Sequence, residues 1–174
     1  MSTASADGWT LRKTTNGDID ELMRWFPDAH SVDIWGGPKF RFPFTLESFL
    51  EDCQMNVTKS YTLRDPDDRM AAFGQLYNRH DRGHLARLIS NPDMRRQGAG
   101  KRLIALLMRV AREEHGFQEY SLFVYRNNAP AYRCYLDMGF TVQEYPDDAK
   151  MKGKCYFLTR SSGETQQEGD KNDQ

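Results

Sequence analysis

Two glycines and a group of cations surround a predicted helix start, and together they could bind a diphosphate. They lie in the stretch Ser90-Asn91-Pro92-Asp93-Met94-Arg95-Arg96-Gln97-Gly98-Ala99-Gly100-Lys101. A helix start leaves its first N–H groups without intrahelical partners and carries the positive end of the helix dipole. Gly98 and Gly100 have no side chain that would block a ligand, and the neighbouring arginines and lysine add positive charge. We therefore expect phosphate-binding chemistry at residues 95–101, which we term the diphosphate turn.

Two common nucleotide-binding motifs do not match this stretch. A P-loop needs a glycine, four further residues and then Gly-Lys-Ser/Thr. Here Arg95 occupies the first glycine position, and Arg102 occupies the position of the magnesium-binding hydroxyl. A dinucleotide fingerprint needs a third glycine, and Leu103 stands there instead. The pattern therefore argues against nucleoside triphosphatases and dinucleotide-binding enzymes.

A strand and then a helix must position the diphosphate turn. The segment before it is apolar and ends at Asn91-Pro92, because proline lacks the N–H that the next ladder position needs. After the turn, apolar residues recur with the spacing of one helix face at Leu103, Leu106, Leu107 and Val110. We predict a strand over 84–90 and a helix over 98–115 that stops at Gly116, a usual residue after a helix C-terminus.

The diphosphate turn resembles the cofactor motif of the GNAT family of N-acetyltransferases, Arg/Gln-x-x-Gly-x-Gly/Ala, which is present here at 95–100. A second family motif, an asparagine followed by Ala-x-x-x-Tyr-x-x-x-Gly-Phe, is present at 128–140. Both occur in the family's order and spacing. The resemblance covers about residues 8–160 and is specific over 84–140. It implies that the strands at 84–90 and 120–125 run parallel and splay apart to admit acetyl-CoA.

The resemblance also implies residue roles in acetyl transfer from acetyl-CoA to a primary amine, by direct attack in a ternary complex. Backbone N–H groups of the strand at 88–90 would polarise the thioester carbonyl. Tyr135 aligns with the family's general acid, since a phenol with a pKa near ~10 is protonated at neutral pH. Tyr132, three residues earlier, leaves open that both tyrosines only pack on a helix face. The implied cofactor-binding residues are Leu88, Ile89, Ser90, Arg95, Arg96, Gln97, Gly98, Ala99, Gly100, Lys101 and Asn128.

His84 is the candidate general base. Some family members carry a glutamate on this strand, and counting back from the glycine motif places His84 at that position. A histidine with a pKa near ~6.5 could accept a proton at neutral pH. His84 could instead be a rim residue that follows a turn, and many family members use a water chain. His80 and His84 could also suggest a metal, but further ligands are absent from the sequence, so we expect none.

Composition narrows the class of protein. The chain has 174 residues, enough for one domain with a core, and its formal net charge of −1 does not mark a nucleic-acid binder. No apolar run approaches a membrane span, and the N-terminus lacks the features of a signal peptide. Three cysteines without close pairs argue against disulfides and a cysteine zinc site. We expect a cytoplasmic enzyme that binds neither nucleic acid nor membrane.

The local patterns predict a mixed α/β domain. We expect a mixed sheet of about seven strands flanked by about four helices, and the resemblance to the family implies the acyl-CoA N-acyltransferase (GNAT) fold. Residues 1–7 are predicted as a flexible N-terminus, 8–160 as a single domain and 161–174 as a disordered polar tail. Asp18 is predicted to cap the first helix, and Thr45 to cap a short helix whose capping box is incomplete at Ser48.

The loop 27–44 and the acceptor are less determined. The loop holds Trp35, Phe40, Phe42 and Phe44, which either pack back or line a pocket. Its residues Asp28 and Asp33 indicate a small cationic acceptor. The expected partner is a small-molecule or peptide amine, and a homodimer stays open. Two alternatives to acetyl transfer also stay open. One is a non-catalytic acyl-CoA-binding sensor or interaction module, and the other is an acyltransferase that uses a longer acyl group.

Overall fold

The structure is a computed structural model that describes residues 4–163. Within this range the chain forms eight strands, five α-helices and one short 3-10 helix at Pro92–Met94. The strands are β1 (Ala4–Ala6), β2 (Trp9–Lys13), β3 (Lys59–Arg64), β4 (Met70–Arg79), β5 (Arg82–Ser90), β6 (Glu119–Tyr125), β7 (Thr141–Gln143) and β8 (Cys155–Ser161). The helices are α1 (Asn16–Met23), α2 (Ala29–Gly36), α3 (Leu46–Asp52), α4 (Ala99–His115) and α5 (Ala129–Asp137).

The strands form one mixed sheet in the order β1-β2-β3-β4-β5-β6-β8-β7. β5 and β6 are parallel, with Gly83 opposite Tyr120 and His84 opposite Ser121. The pairs β1/β2, β2/β3, β3/β4, β6/β8 and β7/β8 are antiparallel. The predicted mixed α/β class is confirmed. The prediction of about seven strands and about four helices lacked β1 and α2.

The chain divides into two compact units. Among the described residues, the first unit comprises 4–77 and 85–110, and the second comprises 78–84 and 111–163. In the first unit, α1, α2 and α3 contribute apolar side chains to a cluster with β4: Ile19, Leu22, Phe26, Val32, Phe49, Cys53, Met70 and Phe73. In the second unit the buried apolar side chains include Tyr120, Leu122, Val124, Phe140, Phe157 and Leu158.

The N-terminal segment differs from the prediction of a flexible stretch over residues 1–7. Ala4–Ala6 form β1, which pairs with β2, and Ala4 is buried. Asp7 and Gly8 connect the two strands, and both have positive φ angles, 56° and 84°. An Asp-Gly pair in this conformation is a favoured two-residue hairpin loop. At the other end, Ser161 still belongs to β8, and Ser162 and Gly163 form a turn. The remaining residues of the predicted polar tail, 164–174, lie outside the described residues.

The first helix begins earlier than predicted, because Thr15 and not Asp18 is its N-cap. The Thr15 hydroxyl accepts from the Asp18 N–H at 3.2 Å, and the Asp18 carboxylate accepts from the Thr15 N–H at 2.9 Å. Burial acts to raise the pKa of Asp18, but hydrogen bonds from Arg12 and the Thr15 backbone outweigh it and lower this pKa. The predicted N-cap was therefore wrong. Thr15 and Asp18 form a capping box, in which Thr15 is the N-cap and Asp18 is the second member.

Two further helix starts also depend on short polar side chains. Asp28 caps α2, a helix that the prolines and glycines of the 27–44 loop did not indicate. Thr45 caps α3 as predicted, and the Ser48 hydroxyl completes its capping box by accepting from the Thr45 N–H at 3.0 Å. The prediction of an incomplete box was wrong, because a serine oxygen can replace the usual carboxylate or amide oxygen. No helix within residues 4–163 combines the length and the apolar character that a membrane span needs.

Candidate active site

The diphosphate turn lies in the first unit, between β5 and α4. Asn91 anchors the chain before it, since its side-chain amide donates to the Met70 carbonyl at 2.9 Å and its backbone N–H donates to Ala71 O at 2.8 Å. Arg96 and Gly98 then adopt left-handed φ angles of 65° and 77°. Glycine is the residue type that takes this conformation without a steric cost.

The start of α4 offers backbone donors to the solvent side of the turn. Arg102 N–H makes a bond to the Gly98 carbonyl at 3.2 Å, the i→i−4 pattern of the helix. Residues 99–101 precede this donor, so their N–H groups belong to the first turn, which has no intrahelical acceptors. Arg95, Arg96, Gln97 and Lys101 have exposed side chains around these donors. The predicted helix start at 98 is thus confirmed to within one residue, since α4 begins at Ala99.

The packing around Gly100 does not require a glycine at this position. It lies within α4, and a Cβ added there would meet Ser90 Oγ at 3.5 Å, an ordinary contact distance. A glycine inside a helix costs about 0.5–1 kcal/mol relative to alanine. A packing requirement therefore does not account for this glycine, whereas close approach of a ligand to the backbone does. The turn fits a diphosphate group on this ground.

Next to the turn, β5 is distorted at Arg87. This residue has a φ of 48° in the middle of the strand, a conformation that costs on the order of 1–3 kcal/mol for a non-glycine residue. Three hydrogen bonds hold it, and the longest joins the Arg87 guanidinium to the Cys53 carbonyl at 3.5 Å. The Trp35 indole N–H donates to the Arg87 carbonyl at 2.8 Å, and the Arg87 guanidinium donates to Gln75 Oε1 at 2.8 Å. The half-buried residues Leu88, Ile89 and Ser90 follow directly.

The aromatic loop packs back onto the first unit. Trp35 stacks on Phe49 with ring centroids 5.8 Å apart and lies 4.6 Å from Phe26. Phe40 lies 5.5 Å from Trp35. Of the two alternatives for this loop, packing is confirmed for these rings, and their contact with an acceptor stays a prediction. Sequence reasoning missed Arg87, because nothing in its neighbours indicates a left-handed residue within a strand.

His84 lies in the second unit, on β5 opposite Ser121 of β6. It is buried, with only 2% of its surface exposed, so the alternative of a rim residue is wrong. Its Nδ1 lies 2.7 Å from the Ser121 hydroxyl, and the Phe123 ring centroid lies 5.0 Å away. Burial, with a smaller contribution from the cation of Arg79, lowers the pKa of His84 to about 3. The imidazole is therefore neutral at pH 7 and holds a proton poorly, which counts against the predicted role as base.

Tyr135 also lies in the second unit, on α5. It is half-buried, and its ring centroid lies 6.4 Å from that of Phe140. Burial, with a smaller contribution from Cys134, raises the pKa of Tyr135 to about 12, so the phenol carries its proton at neutral pH. Tyr132 differs from it, because its ring packs on Tyr156 at 4.7 Å. The two tyrosines of the helix are therefore not equivalent.

Asn128 is the N-cap of α5, and its side-chain oxygen accepts from the Ala131 N–H at 3.4 Å. This contact orients the helix that carries Tyr135, and a contact of Asn128 with a cofactor stays a prediction. Within residues 4–163, no group of three or more His, Cys, Asp or Glu side chains could hold a metal ion. The three cysteines are not in disulfides.

Comparisons with known proteins add two findings. The profile of the acetyltransferase (GNAT) family matches residues 19–140. The fold is also similar to that of spermidine N-acetyltransferase from Vibrio cholerae in complex with CoA and spermine, with a TM-score of 0.71, 16% identity, and coverage of 91% of this chain and 98% of that chain. A dodecameric structure of that enzyme in an intermediate state has a TM-score of 0.68, 15% identity and coverage of 92% and 97%. Its structure with manganese ions has a TM-score of 0.67, 16% identity and coverage of 92% and 96%.

Proposed function

The chain belongs to the acetyltransferase (GNAT) family and is an acetyltransferase, and we propose that it transfers acetyl from acetyl-CoA to a primary amine by direct attack in a ternary complex. The observation that carries the proposal is Gly100, a helix glycine with room for a Cβ beside a turn of exposed cations. Such a glycine is accounted for by a ligand that approaches the backbone closely. The complex of the Vibrio cholerae enzyme with CoA supports the same cosubstrate class.

The first unit would bind the cosubstrate. When bound, acetyl-CoA supplies the acetyl group as a reactive thioester. The first-turn N–H groups of α4 and the side chains of Arg95, Arg96 and Lys101 would hold its diphosphate. Backbone N–H groups of β5 near Leu88–Ser90 would donate to the thioester oxygen. One such donor is worth about 10²–10³ in rate in other acyl-transfer enzymes.

Tyr135 would supply the proton for the leaving group. The Tyr135 phenol, whose pKa is raised to about 12, is protonated at working pH and would give its proton to the departing sulfur. For the opposite proton, from the attacking amine, we favour a chain of water molecules over His84, because the pKa of His84 is lowered to about 3. A non-catalytic sensor would need neither proton transfer, so an intact Tyr135 favours the enzyme.

The acceptor is a primary amine, and we propose that it is small and cationic. The related enzymes act on spermidine and spermine. In this chain, hydrogen bonds from Ser31 lower the pKa of the Asp28 carboxyl, and Asp33 is exposed on the same helix. Two carboxyl side chains at α2 favour a cation over an anion. Cytoplasmic location, a homodimer and the lack of nucleic-acid and membrane partners remain predictions.

A thermal-shift titration with acetyl-CoA, CoA and ATP tests the cosubstrate assignment. A ligand at a hundred times its dissociation constant stabilises the folded protein by about 2.7 kcal/mol, which is readily seen as a rise in melting temperature. We expect a rise with acetyl-CoA and with CoA, and none with ATP. If the melting temperature rises with neither acetyl-CoA nor CoA, the assignment is refuted. An equal rise with ATP would indicate a general phosphate site.

A further inference from the structure

Arg102 folds back from α4 beneath the diphosphate turn. Its Nη1 donates to the Gln97 carbonyl at 3.0 Å. The same nitrogen would lie 2.5 Å from a Cβ added at Gly98, so the guanidinium is in close contact with the backbone of this residue. The side chain that is nearest to the left-handed glycine of the turn therefore comes from within the same helix.

Trp9 also contacts this guanidinium. The Cζ atom of Arg102 lies 4.6 Å from the centroid of the Trp9 ring. Trp9 belongs to β2 and is 7% exposed, so the ring is fixed by the sheet of the first unit. A guanidinium over an indole face is attracted by the ring's quadrupole, and this attraction strengthens where water is excluded. The tryptophan therefore fixes the arginine, and the arginine fixes the turn.

The contact determines where the Gly98 N–H points. A trans peptide is planar, so the C=O of Gln97 and the N–H of Gly98 point in opposite directions. Since Arg102 holds the Gln97 carbonyl on its own side of the turn, the Gly98 N–H is directed to the other side. This is the direction that a diphosphate seated at the start of α4 would use.

We propose that Trp9 and Arg102 form a clamp that sets the diphosphate turn in its ligand-binding conformation, with Arg102 as a positioning residue. The proposal rests on the proposed function, since it assigns the clamp to binding of the acetyl-CoA diphosphate. Neither residue needs to touch the cosubstrate. The Trp9 side chain acts on the turn through Arg102, so the two residues must behave as one unit in mutants.

Calorimetric titration of variants with acetyl-CoA tests the clamp. We expect Arg102→Gln to raise the Kd about tenfold, which corresponds to about 1.4 kcal/mol of binding free energy. Trp9→Leu should raise the Kd by a smaller factor, and the double variant should bind no more weakly than Arg102→Gln alone. Trp9→Phe, which keeps an aromatic face, should recover most of the affinity. Arg109→Gln is the matched control, because it removes the same charge from an exposed position on the same helix.

Truncated ligands separate positioning from direct contact. We expect Arg102→Gln to weaken acetyl-CoA and its 3′-dephospho form by the same factor. The kcat/KM for S-acetylpantetheine, which has no diphosphate, should not change. Loss for acetyl-CoA alone would mean that Arg102 contacts the 3′-phosphate, and equal loss for S-acetylpantetheine would mean a general structural role. Either result overturns the proposal, as does normal Kd in Arg102→Gln.

A readout without ligand completes the test. Amide hydrogen exchange of the peptide that covers residues 95–101 should become faster in Arg102→Gln and in Trp9→Leu, but not in Arg109→Gln. Unchanged exchange would contradict the clamp even if coenzyme affinity fell. If the wild-type protein itself binds neither acetyl-CoA nor CoA, the proposed function fails first, and the clamp's role in binding fails with it.

Discussion

Replacing Trp35 with phenylalanine tests how the distortion of β5 is maintained. Trp35→Phe keeps an aromatic ring in the cluster but removes the N–H that donates to the Arg87 carbonyl at 2.8 Å. Arg87 is held at a φ of 48° by this bond and by the bond from its guanidinium to Gln75. Removing the bond from Trp35 leaves a half-buried carbonyl without this donor.

The magnitude follows from the lost donor. Leaving a buried acceptor unpaired costs about 1–3 kcal/mol, so the free energy of unfolding should fall by this amount beyond the loss of ring packing. Trp25→Phe is the matched control, because Trp25 packs against the same apolar cluster and undergoes the same change of ring. The difference in unfolding free energy between the two variants isolates the hydrogen bond.

The same variant should slow the reaction without loosening the cosubstrate. Relaxation of Arg87 would move the backbone donors of Leu88–Ser90, so we expect kcat to fall about tenfold or more, equivalent to at least about 1.4 kcal/mol of activation free energy. Urea unfolding, kcat and the Kd for acetyl-CoA are the three measurements. Equal unfolding free energies for Trp35→Phe and Trp25→Phe, with equal kcat, would refute the reasoning about Arg87.

Three further predictions concern the acid, the turn and the buried histidine. Tyr135→Phe should lower kcat by about 10²–10³ with little change in the Kd for acetyl-CoA, whereas Tyr132→Phe should change kcat little. An equal loss in both would remove Tyr135 from the acid role. Gly100→Val should abolish acetyl-CoA binding in calorimetry while the protein stays folded, because a Cβ there meets only Ser90 Oγ at 3.5 Å. Normal binding would show that the diphosphate lies elsewhere. The pKa of His84 is about 3 in the folded state and near ~6.5 in the unfolded chain. The unfolded state therefore binds more protons than the folded state between these two pH values. The contribution of neutral His84 to the free energy of unfolding is full above about pH 6.5 and is lost as the pH falls toward 3. Urea unfolding across this pH range should show that the free energy of unfolding changes less steeply with pH in His84→Gln than in the wild type. An equal dependence on pH would contradict the assigned effect of burial.

The sequence was sufficient where local chemistry determines structure. The strand predicted over 84–90 ends at the same residue as β5, because Asn91-Pro92 closes the apolar run. The helix after the diphosphate turn and its end at Gly116, with a φ of 73°, follow from the apolar period and the glycine. The Asp7-Gly8 pair is also a local signal for a hairpin. It was not recognised, because the residues before it are small and polar and were predicted as flexible.

Other features depend on contacts between distant parts of the chain. The conformation of Arg87 is held by Trp35, 52 positions away, and by Gln75, so its own neighbours could not predict it. The low pKa of His84 is caused by burial and, to a smaller extent, by the cation of Arg79. This burial depends on β6, which places Ser121 opposite His84. Sequence reasoning therefore located the candidate histidine but not its environment, and the environment changes its expected role.

The measurement that tests the central claim most directly is release of free CoA with acetyl-CoA and a panel of amines, with the product identified by mass spectrometry. We expect release that requires both substrates, an N-acetylated amine as product, highest activity with a small polycation, and strong loss in Tyr135→Phe. Longer acyl-CoA donors in the same assay should be poorer substrates. If acetyl-CoA binds but no amine in the panel releases CoA, the claim of catalysis is contradicted and the chain is an acyl-CoA-binding module.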